Sequence, residues 1–275
     1  MSTLQKLDVR AAARRWVAPL TRVGFAVNGA TYIIVGILAL RAALQPGGDA
    51  RVGRAEALLY IVTTPIGPLL LIIVGLGLLG YGLGHVFMAL RSPSQDTRRG
   101  LVAWVNRGGH LFGSVVHFSL GLTALRLALT GLLARGETPE DWTARALAEP
   151  WGRWAVIAAA LVILGYTAYS FHKAYTANFR EVFREDIAGS QAISGELAGR
   201  LGYTARGVVY LVVAIFLFRA AWHFDPSEAA GLGQALAALA DQPYYGAWLL
   251  GLVGLGLMAY GVYGIFLGKY RDLNF

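Results

Sequence analysis

The sequence predicts an all-α integral membrane protein. Its six transmembrane helices form three tandem helical-hairpin repeats related by pseudo-three-fold symmetry. Three observations predict it: membrane-length runs without charge, a pattern that repeats three times, and a one-sided distribution of Lys and Arg. Hydrophobic residues make up 56% of the 275 and charged residues 15%, against about a quarter charged in ordinary soluble chains. Between Glu56 and Arg91 lie 34 residues with no formal charge, between Asp241 and Lys269 lie 27, between Arg153 and Lys173 lie 19, and between Arg107 and Arg126 lie 18. About 20 apolar residues cross a bilayer as a helix. These runs do not alternate as barrel strands do, so helices satisfy the backbone.

The repeat is read by sliding the chain on itself. A shift of 85 places Arg22, Gly24, Tyr32, Gly36 and Arg41 on Arg107, Gly109, His117, Gly121 and Arg126. A shift of 178 places them on Arg200, Gly202, Tyr210, Ala214 and Arg219. The second half of each unit opens at Pro65-Ile-Gly67, Pro150-Trp-Gly152 or Pro243-Tyr-Tyr-Gly246, and Tyr81, Tyr166 and Tyr260 each follow that glycine by 14 residues. The repeats cover 18–91, 103–176 and 196–271 of one membrane domain, 1–275, with an amphipathic arm over 1–17. The basic arm and first apolar run resemble a secretion signal, but 23–40 match the third and fifth segments and are expected to stay as part of the fold.

In order, spans are expected near 23–43, 66–90, 108–129, 153–175, 203–221 and 246–268. Ala- and Leu-rich stretches at 51–63, 139–149 and 227–241 read as short helices, each stopped by the proline that opens the next span. A further amphipathic stretch covers 179–187. One side of this topology carries 16 of the 24 Lys and Arg and the other eight. The positive-inside rule then puts both termini in the cytoplasm.

Residues 200–210, 242–246 and 256–261 (Arg200-Leu-Gly-Tyr-Thr-Ala-Arg206-Gly-Val-Val-Tyr210, Gln242-Pro-Tyr-Tyr-Gly246, Gly256-Leu-Met-Ala-Tyr-Gly261) resemble the bacterial domain-of-unknown-function 1206 family. The resemblance covers nearly the whole chain and implies six spans in three two-span repeats. It brings no activity with it. The middle repeat departs most, with His110 and His117 where the others have aromatic residues.

No catalytic motif emerges, and no catalytic residue, cofactor or metal is expected. There are no cysteines. Gly75-Leu-Gly-Leu-Leu-Gly80 lies inside an uncharged run, without the strand and exposed helix start of a nucleotide site, and reads as close helix packing. His85, His110, His117 and His172 fall in spans; paired imidazoles could hold haem, though each could equally bond a neighbour. Arg41, Arg126 and Arg219 end the three odd spans. They either snorkel to the interface or converge on an anion such as a lipid phosphate. Tyr32, His117 and Tyr210, with Tyr81, Tyr166 and Tyr260, form two repeated columns, candidates for a polar lining. No acidic residue sits mid-span, against a carboxylate proton relay. The reading is a non-enzymatic protein that binds membrane lipids or a membrane-protein partner, with homo-oligomers open and no nucleic acid. A small-solute transporter or channel is the first alternative and a haem-bearing redox protein the second.

Overall fold

The computed structural model describes residues 18–45, 53–90, 101–131, 139–177 and 189–271. The arm at 1–17 and the stretch at 179–187 lie outside them. The described residues are all-helical, with six helices long and apolar enough to cross a membrane. The spans are α1 (Ala18–Leu44), α3 (Gly67–Leu90), α4 (Leu101–Thr130), α6 (Gly152–Thr176), α7 (Gly189–His223) and α9 (Gly246–Tyr270). Short helices α2 (Arg54–Val62), α5 (Pro139–Leu147) and α8 (Leu232–Ala240) join them, with a 3-10 turn at Pro226–Glu228. The fifth span is far longer than expected. Its 35 residues extend about 50 Å at 1.5 Å each, beyond the ~30 Å of hydrocarbon. Its polar first third continues as helix through the Glu196–Arg200 pair (3.2 Å) and is tied to α9 by the Tyr270 hydroxyl bonding Gln191 Oε1 (3.1 Å).

The three proline–glycine corners share one construction. The amides of Gly67, Gly152 and Gly246 donate to the carbonyls of Thr64 (2.8 Å), Glu149 (2.9 Å) and Gln242 (2.9 Å). A Cβ on any of these glycines would collide with the last turn of the preceding short helix, at Ile61 O, Ala146 O and Ala240 O. Each short helix is therefore folded down onto the start of the next span.

The spans pack side by side in the order α4–α3–α1–α9–α7–α6. The junctions between successive repeats, α3–α4, α6–α7 and α9–α1, are the broadest interfaces. Glycines make them close: a Cβ on Gly254 would lie 2.9 Å from Gly36 O, and one on Gly121 would lie 3.0 Å from Gly75 O. Without a hydrophobic force between helices in lipid, such close approach supplies the attraction. Within repeats, α1 packs on α3 and α7 on α9, but no comparable interface joins α4 to α6 among the described residues. The row curls, because Arg206 of α7 lies 5.5 Å from the Tyr32 ring of α1 and 5.4 Å from the Tyr166 ring of α6. The result is an incomplete ring, open between α4 and α6. Those two spans are the least covered by protein, at 29% and 22% buried against 39–56% for the others.

Candidate functional site

The inner face of the ring holds a cluster of polar side chains from the spans. On α7, Tyr203, Arg206 and Tyr210 follow a three-then-four spacing and share one helix face. Phe25, Asn28 and Tyr32 on α1, and His110, Gly113 and His117 on α4, are the matching triads. The middle position thus reads Asn28, Gly113 and Arg206, and one repeat alone places a cation there. Arg206 donates to the hydroxyls of Tyr260 and Tyr210, the latter at 3.3 Å. Its guanidinium lies 4.3 Å from the Tyr260 ring, 5.3 Å from Tyr210 and 6.0 Å from Tyr203.

A second guanidinium arrives from outside the spans. Arg54, at the start of α2, donates to the Tyr32 hydroxyl and stands 4.7 Å over that ring. Arg54 and Arg206 therefore flank one tyrosine. Tyrosine faces attract cations, but phenols do not neutralise them. Neither arginine has a carboxylate partner among the described residues. The Nε of each is sealed from solvent and bonds to nothing. Toward the basic end, Lys173 Nζ donates to the Tyr203 hydroxyl (3.2 Å), and Arg271 stacks 5.0 Å from Phe25.

The six residues of the tyrosine columns all line this interior, and they meet in pairs across repeat junctions. Tyr81 lies edge-on to His117 at 4.5 Å, Tyr166 to Tyr210 at 5.2 Å, and Tyr260 to Tyr32 at 4.8 Å. The histidines gather on the α3–α4 side. His85 and His110 share one proton between their Nδ1 atoms at 3.0 Å, and His85 stacks on His117 at 5.7 Å. His117 Nδ1 donates to the Gly113 carbonyl (2.6 Å), and its Nε2 faces the Asn28 side-chain amide (3.3 Å). The Asn28 atom nearest Nε2 is Oδ1, which accepts when Nε2 carries the proton. Both nitrogens of His117 are thus engaged by protein. Among the described residues no group of three or more His, Asp or Glu is arranged to hold a metal.

The span-end arginines are placed differently. Arg41, Arg126 and Arg219 are all exposed. Arg219 is bound to Glu228 (3.2 Å), which also accepts from His223 Nδ1 (2.9 Å). Those contacts, His223 first, hold the Glu228 carboxyl below its ordinary range. The interior cations Arg54 and Arg206 escaped the sequence reading because one falls in a short connecting helix and the other close to the start of a span, where charge is ordinary. The available signal was spacing: Arg206 stands between two repeated tyrosine positions on their own helix face.

With the site laid out, comparison with known proteins decides the family. The pattern of the Domain of Unknown Function (DUF1206) matches residues 23–92, 108–177 and 201–271. The chain belongs to the DUF1206 family. This DUF1206 chain is also 31% identical over 273 residues to "Uncharacterized protein YxxB" of Bacillus subtilis (strain 168), covering 97% of this chain and 95% of that protein. No solved structure matches this DUF1206 protein significantly.

Proposed function

We propose that this DUF1206 protein is a non-enzymatic, multi-pass protein of a bacterial inner membrane that binds an anionic group, the phosphate of a membrane lipid, between Arg54 and Arg206. Both termini lie in the cytoplasm, as the Lys and Arg bias requires, and the repeats surround a pseudo-three-fold axis along the membrane normal. The observation that carries the reading is the pair of guanidiniums without a carboxylate. Removing a charge from water costs several kcal/mol unless a counter-charge meets it, and arginine's planar fork matches phosphate oxygens. The unpartnered Nε atoms are donors such an anion would use. Titration of the detergent-purified chain with short-chain phosphatidic acid tests this. Binding should weaken by about tenfold or more in Arg206→Gln, as loss of a charge-assisted bond implies. Equal affinity in wild type and variant rejects the site.

A second reading, passage of a small anion, draws support from the succession Lys173, Tyr203, Arg206, Tyr32 and Arg54, which runs inward from opposite ends of the bundle. Liposomes holding the protein would then leak anions in an Arg206-dependent way.

A further inference from the structure

We propose that the opening between α4 and α6 is a lateral doorway through which a phospholipid enters from the bilayer, its phosphate reaching Arg206 while its acyl chains stay in the opening. This rests on the anion-binding reading above and adds the ligand's source and route.

The doorway is encoded in the repeat. In the first repeat, a Cβ on Gly24 would lie 2.5 Å from the Tyr81 amide nitrogen; in the third, a Cβ on Gly202 would lie 2.5 Å from Tyr260 Cα. These glycines let α1 seat on α3 and α7 on α9. The matching Gly109 of α4 meets nothing within 4 Å, and neither does Gly165 of α6. Gly165 matches Gly80, which in the first repeat abuts Leu20 of α1 at 2.8 Å. So the middle hairpin carries two of the glycines of a close contact and does not make it. The middle hairpin also departs from the others at one contact position. Gly77 and Gly256 face Val27 and Ala205 with no room for a Cβ. Val162 stands at the corresponding place and is 66% exposed. A side chain at this place leaves no room for the approach that Gly77 and Gly256 allow their partners.

Charge and depth identify the occupant. Tyr166, beside Gly165, packs 5.4 Å from the Arg206 guanidinium, which places the cation behind the doorway. Arg206 lies six residues inside Arg200, about 9 Å along the helix. The guanidinium bonds Tyr210, one turn further on, so the phosphate is drawn through the opening into the ring while its chains stay in hydrocarbon. A water-soluble anion has no use for an opening on the apolar flank of the bundle, where Val162 is exposed.

The test is lipid exchange on the whole chain in phosphatidylcholine nanodiscs. The protein is loaded with phosphatidylglycerol and chased with the deuterated lipid, and exchange is followed by native mass spectrometry, with inorganic phosphate as a competing arm. Gly109→Trp should plug the opening, and Val162→Gly should let α4 close on α6. Each should slow exchange by about tenfold, since access governs the rate at fixed headgroup contacts. Phosphate should not displace the lipid. If both variants exchange like wild type while Arg206→Gln still loses phosphatidylglycerol, the doorway is wrong and the headgroup site stands. If phosphate binds in an Arg206-dependent way and phosphatidylglycerol does not, the ligand comes from water and the doorway is wrong. If wild type retains neither, both readings fall.

Discussion

The Tyr260 ring meets the Tyr32 ring edge-on, with centroids 4.8 Å apart and planes at 72°. The contact joins the last span to the first and brings the chain's third repeat against its first. The same relation recurs at the other two junctions, Tyr81 with His117 (71°) and Tyr166 with Tyr210 (87°). Edge-to-face pairs of this kind add about 0.5–1.5 kcal/mol beyond burial. The tyrosine columns are thus part of what binds each repeat to the next, and the hydroxyls of Tyr32, Tyr210 and Tyr260 are reached by Arg54 and Arg206.

Glycine substitutions should separate the closed hairpins from the open one. Gly24→Ala and Gly202→Ala force a Cβ into backbone at 2.5 Å and should cost about 1–3 kcal/mol, as overpacking does. Gly109→Ala meets nothing within 4 Å and should be neutral or slightly stabilising, because alanine favours helix. Thermal unfolding in detergent measures all three. Equal losses would mean that α4 and α6 pack like the other hairpins.

The hairpins, the short helices and the family were legible because each is written three times. A period of two spans survives any local ambiguity, as the Pro65, Pro150 and Pro243 corners show. The doorway and the cation site were not, because both are departures from the repeat. Val162 in place of Gly77 and Gly256, and Arg206 in place of Asn28 and Gly113, look like ordinary variation until neighbouring helices are placed. The span-end arginines drew attention for the opposite reason. Arg41, Arg126 and Arg219 repeat faithfully, but a residue needed at every interface repeats as well as one needed at a site. The fifth helix overran its expected start at 203 because hydropathy marks where the bilayer begins, not where a helix does; Glu196 and Arg200 carry it on in water.

The orientation can be read directly, since the chain has no native cysteine. Ser227 is exposed in the loop after α7, whereas its neighbour Ala229 is buried, so Ser227→Cys is the better probe. With both termini in the cytoplasm, an impermeant maleimide added to intact cells should label Ser227→Cys and spare Ser94→Cys. The reverse pattern would invert the topology.

Glu228 provides a pH test at the same end of the molecule. Its carboxyl is held below the ordinary 4.5, chiefly by the His223 hydrogen bond and further by Arg219. A depressed acid stabilises the folded form above its unfolded pKa and loses that contribution as pH falls through the folded one. The loop after α7 should therefore loosen only below pH 4.5, not near neutrality. Carbon NMR of labelled glutamate should show Glu228 titrating lower than its peers, with a partial upward return in Arg219→Gln. A return to the ordinary value there would make Arg219, not His223, the main cause.

Arg206→Met distinguishes a binding residue from a structural hub. Replacing a buried charge by an apolar side chain of similar length is often neutral, or stabilising by about 1–4 kcal/mol, because the desolvation cost disappears. Arg206 does make bonds: it donates to Tyr260 and Tyr210 and lies against five ring faces, those of Tyr32, Tyr166, Tyr203, Tyr210 and Tyr260. If those contacts were its purpose, methionine would strand the hydroxyls and stability would fall by about 1–3 kcal/mol for each unsatisfied group. If its purpose is an anion, the lipid-free variant should melt at or above wild type, because an uncompensated cation has been removed. The same variant should lose retained phosphatidylglycerol and the rise in melting temperature that this lipid gives wild type. A variant that is both less stable without lipid and still stabilised by it would assign Arg206 to the tyrosine framework and leave Arg54 to hold the anion.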